Sequence, residues 1–322
     1  MDRKFGIEME IAGINRETAL RALRAVGINV QDEGYNHTTR AHWKLVSDAS
    51  VRGGFEVVSP VLDGEAGLAE AEVVARALDD AGASVNVSCG LHVHFDAADL
   101  SAADIKAIVR RYAAHEAEID AFMPRSRRGN GNQYCRSLAG LMNDRFERAR
   151  TMQELIAHQG SRYFKVNLQS FQRHGTIEFR QHSGTINASK VANWVRFLAD
   201  FIGQCKRVAS GAPAPARVPQ FPALMGVQGR LWQMLEGGSP VLLSDICAAF
   251  GWQPHTARAA VTRLRRAGLD IKAVKVDGKA AYRFNGQGAP AQEAAPDSLW
   301  NGVSEPVAQF YQRRAAVLAA AS

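Results

Sequence analysis

The sequence lacks the marks of a secreted, membrane-spanning or mononucleotide-loop protein. Only four cysteines occur in 322 residues (Cys89, Cys135, Cys205 and Cys247), widely scattered and without C-x-x-C spacing. That scarcity fits a reducing, cytoplasmic setting. No stretch reaches the roughly 18 uncharged apolar residues that a membrane span needs, so no membrane is expected. The start, Met1-Asp-Arg-Lys-Phe-Gly-Ile-Glu8, turns acidic before any signal-peptide core could form. G-x-x-x-x-G-K-[ST] is missing, which excludes a P-loop, and no G-x-G-x-x-G follows a strand, which argues against a dinucleotide fold. G-x-S-x-G and H-E-x-x-H are missing as well, which disfavours the corresponding serine hydrolases and zincins. No internal repeat is visible, so a solenoid is not expected.

What is present is an ordinary globular balance, 46% hydrophobic and 22% charged, in a chain long enough for two domains. The net charge of +7 raises the question of nucleic acid. Its position answers more than its sum. Residues 221–285 carry nine Lys/Arg against four acids, whereas residues 1–208 are nearly balanced at 27 against 25. Between them lies a small, Pro-rich, pattern-free stretch. The expected layout is a larger domain over 1–208, a linker over 209–220, a small basic domain over 221–285, and a linker plus C-terminal helix over 286–322. The last helix, Val303 to Ala320, reads as a packing or oligomerisation element.

Within the larger domain, strands alternate with helices in an order that predicts an α+β fold with a largely antiparallel sheet. Phe5, Ile7, Met9 and Ile11 alternate with Gly6, Glu8 and Glu10, the period of a half-buried strand. Further strands are expected at Trp43–Ser47, Phe55–Ser59, Val85–Phe95, Tyr163–Leu168 and Thr176–Gln181. Helices are expected after Asn15, over Gly64–Gly82, from Ser101 to about Met123, and over Ala188–Arg207.

Three of these strands put ionisable groups on one face and hydrophobes on the other. Glu8 and Glu10 share a face; so do His92 and His94, and Glu178 and Arg180; Glu56 adds a fourth carboxylate beside Val57. Each motif alone describes a solvated strand face. Their recurrence on adjacent strands describes a surface for a divalent metal and phosphate. Carboxylates neutralise hard Mg²⁺ or Mn²⁺, an imidazole can complete the shell, and arginine clamps phosphate oxygens bidentately. Cys89 shares strand parity with Leu91 and Val93 and reads as buried rather than nucleophilic. Metal-assisted nucleotide chemistry and metal-assisted hydrolysis both remain open at this point.

Phe5-Gly-Ile-Glu-Met-Glu10, Asp48-Ala-Ser with Gly54-Phe-Glu-Val-Val-Ser-Pro60, Cys89-Gly-Leu-His-Val-His-Phe95, Arg162-Tyr-Phe-Lys-Val-Asn-Leu168 and Gly175-Thr-Ile-Glu-Phe-Arg-Gln-His-Ser-Gly-Thr185 together resemble the amidoligase family. These are carboxylate–amine ligases akin to glutamine synthetase and gamma-glutamylcysteine synthetase. The likeness covers most of residues 1–207. It implies a glutamine-synthetase-like antiparallel sheet that binds ATP and Mg²⁺ without a P-loop. By motif, Glu8, Glu10, Glu56, His92 and Glu178 would hold the metals and His94 would lie near the nucleotide. Arg180 would face the transferred phosphate, Asp48 and Arg162 would join the catalytic set, and Lys165 or Asn167 could line the cleft. The implied reaction is ATP-dependent amide formation through an acyl phosphate, from small-molecule or peptide carboxylates and amines. A reactive intermediate needs shelter from water, and the basic, Gly/Asn-rich segment 125–133 is the expected cover.

The small domain reads as a winged helix. Helices are expected at Val227–Leu235, at Leu243–Phe250 (capped by Ser244) and at Thr256–Ala267, followed by a hairpin around Asp277-Gly278. The segment 251–258 is similar to a small bacterial and phage helix-turn-helix family of unassigned role. His255, Thr256, Arg258, Arg263, Arg266 and Lys279 are the candidate nucleic-acid contacts, with DNA as the expected partner. Two other functions are compatible with the chain: a metal-dependent hydrolase using His92 and His94, and a DNA-binding regulator whose first domain only senses a ligand.

Overall fold

Alternation over Lys4–Ala12 produces β1, the strand on which the first unit is organised, with Phe5, Ile7, Met9 and Ile11 almost wholly buried. The structure, a computed structural model, describes residues 1, 3–209, 231, 234–235, 239–266, 270–276, 278–284 and 298–320. The chain divides into two units, Met1–Pro213 with Asn301–Ser322, and Ala214–Trp300. The expected linker beyond residue 209, most of the helix expected at 227–235 and the stretch 286–297 lie outside the described residues.

In the first unit β1 sits inside an eight-stranded sheet. Its order is β2 (Val30–Gly34), β3 (Trp43–Val46), β4 (Gly54–Val58), β1, β6 (Gly90–Asp96), β8 (Thr176–Ser183), β7 (Val166–Asn167), with β5 (Leu62–Asp63) also pairing β1. Every pairing is antiparallel except β2 with β3. Gly54 is required where β4 meets β1: a Cβ there would lie 1.8 Å from the Ile11 carbonyl oxygen. The fold is therefore mixed α+β with a largely antiparallel sheet and flanking helices.

The helices begin where capping residues dictate. Asn15 accepts from the Thr18 amide at the start of α1 (Arg16–Ala25), and Ser101 and Asp104 form a capping box at the start of α3 (Ala102–Ala114). α2 (Gly64–Asp80) and α8 (Ala188–Ala209) complete the main apolar layer; Leu68, Val74, Trp194, Phe197 and Phe201 are fully buried. The single helix expected from Ser101 to about Met123 is two, because the chain turns at His115 before α4 (Glu116–Ala121). Short helices α5 (Asp144–Arg148), α6 (Met152–Gln159) and α7 (Ser170–His174) fill the connection towards β8.

Strand lengths also differ from expectation. The strand expected at Val85 starts at Gly90, and that expected over Tyr163–Leu168 narrows to Val166–Asn167. The C-terminal helix, Glu305–Ala320, belongs to the first unit. Arg314 Nε donates to the Phe122 carbonyl at 2.7 Å, and Tyr311 lies buried against the Phe122 ring at 4.5 Å.

The second unit contains β9 (Val241–Leu242), α9 (Leu243–Phe250), α10 (Pro254–Arg266), β10 (Ile271–Val276) and β11 (Lys279–Phe284), before α11 (Glu305–Ala320) closes the chain in the first unit. The strands pair in the order β10–β11–β9. Ile246, Ala257, Val261, Leu264, Ile271 and Phe284 form its core. Gly251 and Gly278 take the positive φ that the inter-helix turn and the hairpin demand. Ser244 is not the cap of α9: that position is Leu242, and the Ser244 hydroxyl instead donates to Asp245. Among the described residues, no helix is long and apolar enough to cross a membrane.

His182 on β8 is 1% exposed, its ring 5.3 Å from that of Trp194, and burial pulls its pKa down to about 3. The unfolded chain binds this proton near pH 6.5, so stability is complete above 6.5 and falls as pH drops from there towards 3. We expect His182→Phe to remove about 2 kcal/mol of the stability lost between pH 7 and 5, as read from urea unfolding at both pH values. An unchanged pH slope would contradict this.

Candidate functional site

Strand register assembles the ionisable face. Glu10 lies across from Glu56, Glu8 from His92, His94 from Glu178, and Glu178 from Asn167. Four strands and β7 thus bring four carboxylates, two imidazoles and an amide side by side. An irregularity in the β6–β8 register between Leu91 and Val93 spreads an extra β8 residue across that interval. Such bulges re-aim side chains. Here Arg180 pairs with Glu178, while neighbouring Gln181 and His182 join other partners.

The contacts are short and mutual. His92 Nδ1 lies 3.1 Å from Glu8 and 3.6 Å from Glu178, and its Nε2 lies 3.7 Å from Glu10. His94 Nε2 lies 3.4 Å from Glu8 and 3.9 Å from Glu178, while its Nδ1 is 3.0 Å from the Thr176 hydroxyl. That leaves His94 Nε2 buried without a hydrogen-bond partner. Asn167 donates to Glu178, and the Gly90 amide donates to Glu10.

The electrostatics are those of crowded negative charge. Burial, then Glu8, Asp48 and Glu10, pushes the Glu56 carboxyl up to about 10. Burial acts in the same direction on Glu8, but the hydrogen bond from His92 and the nearby imidazole of His94 overcome it and hold that carboxyl well below its usual range. Glu178 is lowered against its burial by Arg180, His94 and His92. His94 is raised against its burial by Glu178 and Glu8.

Two ligand sets of metal-binding size result: Glu8, Glu56 and His92, and Glu8, His94 and Glu178, with donor atoms in each set all within 4.8 Å of one another. They share Glu8. Carboxylates outnumber imidazoles, the composition that suits Mg²⁺ or Mn²⁺ better than zinc.

Of the residues expected from sequence, Glu8, Glu10, Glu56, His92, His94, Glu178 and Arg180 come together. Asp48 joins them at the edge: it accepts from the Ser50 amide at 2.6 Å and hydrogen-bonds Glu56. Arg162 does not; it stands exposed, its guanidinium 5.1 Å from the Tyr163 ring centroid. Cys89 is fully buried, and burial raises its thiol pKa, which fits no nucleophile. The segment expected as a cover is pinned: Gly129 N donates to Asp120 at 2.8 Å, Arg128 Nε to the Met123 carbonyl at 2.7 Å, and Arg180 Nε to the Tyr134 carbonyl at 3.2 Å.

Several residues enter that sequence reasoning missed. Arg127 is 3% exposed, donates to the Ser88 and Cys89 carbonyls, and keeps a buried Nε without a partner. Its guanidinium and His92 Nε2 crowd Gly90, where a Cβ would lie 2.8 Å from the ring nitrogen. Lys44 on β3 is 3% exposed and donates to the Asn36 and Thr38 carbonyls, holding the 35–42 loop. The His174 ring lies 6.0 Å from that of His94. A separate cleft of about 580 Å³ at the Lys4 end of β1, lined by Arg3, Asp63, Asp99 and Asp200 among others, shares no residue with this face.

Comparison with known proteins gives the class and then the family. Residues 1–202 match the model of a family described as "putative amidoligase enzyme", so membership points to an amide-bond-forming ligase. The chain belongs to the amidoligase family. Residues 227–284 match a second family, described only as a protein of unknown function (DUF3489). No curated protein matches the chain.

Behind the face, Lys165 is fully buried with Nζ 2.6 Å from Glu116 and 2.7 Å from Asp120. Gln181 donates to Asp120 and accepts from the Tyr112 hydroxyl. Lys165→Met leaves two carboxylates without their cation, and we expect a loss of about 3–5 kcal/mol, seen as a lower melting temperature. Adding Glu116→Gln should restore part of it; no loss in the single variant would contradict the network.

Proposed function

We propose that the first unit is an ATP- and Mg²⁺-dependent carboxylate–amine ligase of glutamine-synthetase-like architecture, forming an amide through an acyl phosphate. The observation that carries this reading is the pair of carboxylate–imidazole sets joined at Glu8, with buried Arg180 beside them.

A carboxylate is a poor acyl donor because its leaving group would be oxide. In the proposed sequence a carboxylate oxygen bonds to the γ-phosphorus of ATP and ADP departs. The amine nitrogen then bonds to the acyl carbon, inorganic phosphate leaves and the nitrogen loses a proton. Glu8, Glu10, Glu56, His92 and Glu178 would hold the metal ions, which neutralise phosphate charge when bound. Arg180, held against Glu178, faces the phosphoryl group in transfer, and His94 borders the nucleotide. Asp48 orients Glu56. Arg127 keeps the Ser88–Gly90 backbone in place beside His92, which fixes the imidazole at the floor of the site. A cytoplasmic setting, with its ATP and reduced thiols, fits four cysteines that form no disulfide with one another.

Two measurements test this. With ATP, Mg²⁺ and mixed carboxylates and amines, ADP should accumulate only when both substrates are present, and hydroxylamine should trap a hydroxamate. Glu178→Ala should cost roughly 10²-fold or more. No ADP with any mixture, or amide hydrolysis without ATP, would overturn the ligase. Separately, Mn²⁺ titration followed by electron paramagnetic resonance should count two ions per chain. Glu56→Gln and Glu178→Gln should each leave one, and Glu8→Gln neither. A stoichiometry insensitive to all three would refute the shared-ligand site.

A further inference from the structure

We propose that the second unit binds duplex DNA, with α10 entering the major groove and the β10–β11 hairpin resting on flanking phosphates. The proposal is independent of the ligase reading, since it uses no residue of the first unit.

Helix α10 is strictly two-sided. Ala257, Ala260, Val261 and Leu264 are buried in the core of the unit, while His255, Arg258, Ala259, Thr262 and Arg263 are exposed. The exposed set recurs at i, i+3, i+4, i+7 and i+8, which is one face of a helix. Thr256 is half-buried at its edge, and the Arg266 side chain lies outside the described residues. No Asp or Glu occurs in Pro254–Arg266. The small Ala259 and Thr262 between the arginines let the helix backbone approach a groove wall, and arginine offers the paired donors that suit guanine edges or phosphates. α9 precedes this helix across the short turn at Gly251, the order in which the second helix reads DNA.

The hairpin adds an independent observation. Ile271, Tyr282 and Phe284 face the core, and on the opposite face Lys272 lies directly across from Arg283, with Lys279 on that same face. Facing like charges weaken a strand pair. Lys272 pairs with Asp270 at 3.1 Å. Arg265 is excluded from the contact set: its Nε donates to the Ile271 carbonyl at 2.6 Å and its guanidinium lies over Tyr282, joining α10 to the hairpin. The large exposed apolar side chains among the described residues (Tyr35, Val87 and Val317 the most exposed) all lie in the first unit. The described residues of the second unit therefore offer cations rather than an apolar patch, which favours DNA over a protein partner.

The test is fluorescence anisotropy of a labelled duplex titrated with the full-length protein between about 50 and 200 mM salt. Affinity should fall linearly on a log–log plot. Arg258→Gln with Arg263→Gln should weaken binding about tenfold or more at low salt and reduce the slope by about 2, since each lost phosphate contact removes about 0.9. Lys272→Ala with Lys279→Ala gives a second, hairpin-only variant with the same expectation. Arg110→Ala with Arg145→Ala, on exposed positions of the first unit, should leave binding unchanged. Absence of binding at 50 mM salt, equal affinity for single-stranded DNA, or equal losses in the first-unit control would each overturn the proposal. Unchanged melting temperatures of the variants separate lost contacts from lost folding.

Discussion

Four carboxylates on adjacent strands repel one another, and the first unit is arranged around holding them together. The imidazoles of His92 and His94 and the guanidinium of Arg180 lie among them. They hold the Glu8 and Glu178 carboxyls below their usual range but not Glu56, which burial and its neighbours push up to about 10. A sheet is a suitable frame because strand spacing of about 4.8 Å fixes neighbouring side chains at metal-ligand separations without a flexible loop.

The supports lie one layer out. Gly90 admits His92 and Arg127 to the same small volume, and Arg127 ties that volume to the chain at Ser88 and Cys89. Lys165 anchors α4 through Glu116 and Asp120, and Asp120 in turn holds Gly129. The segment near Arg180 is therefore hydrogen-bonded from beneath by a carboxylate that is itself paired with buried Lys165.

Much of the site was readable because period-two alternation declares which face a side chain takes. Glu8, Glu10, His92, His94, Glu178 and Arg180 all followed from parity, as did the burial of Cys89. Parity fails where both faces are covered. All four residues of Trp43-Lys-Leu-Val46 are buried, so Lys44 gave no signal. It fails again for Arg127, which sits in a polar, glycine-bearing run and is buried by tertiary contacts alone. The β8 bulge has no marker residue, and β2, with Asp, Glu and Gly in five positions, lacks strand propensity and forms by pairing with β3. In the second unit the helix and hairpin boundaries were legible from Gly251 and Gly278, whereas β9, two residues long, was too short to show.

The first unit is not continuous along the chain: it pauses near residue 213 and resumes at 301. Its last helix supplies Val307 and Tyr311 to a core made mostly before residue 210. The second unit is in that sense an insertion, fastened at both ends rather than appended at one. Cutting the chain after the family-matched region at 202 would strip the rings of Phe122, Trp194 and Phe197 of a covering partner and expose a greasy seam. Removing the basic unit cleanly would instead take an excision that rejoins the two flanks, near residues 213 and 301.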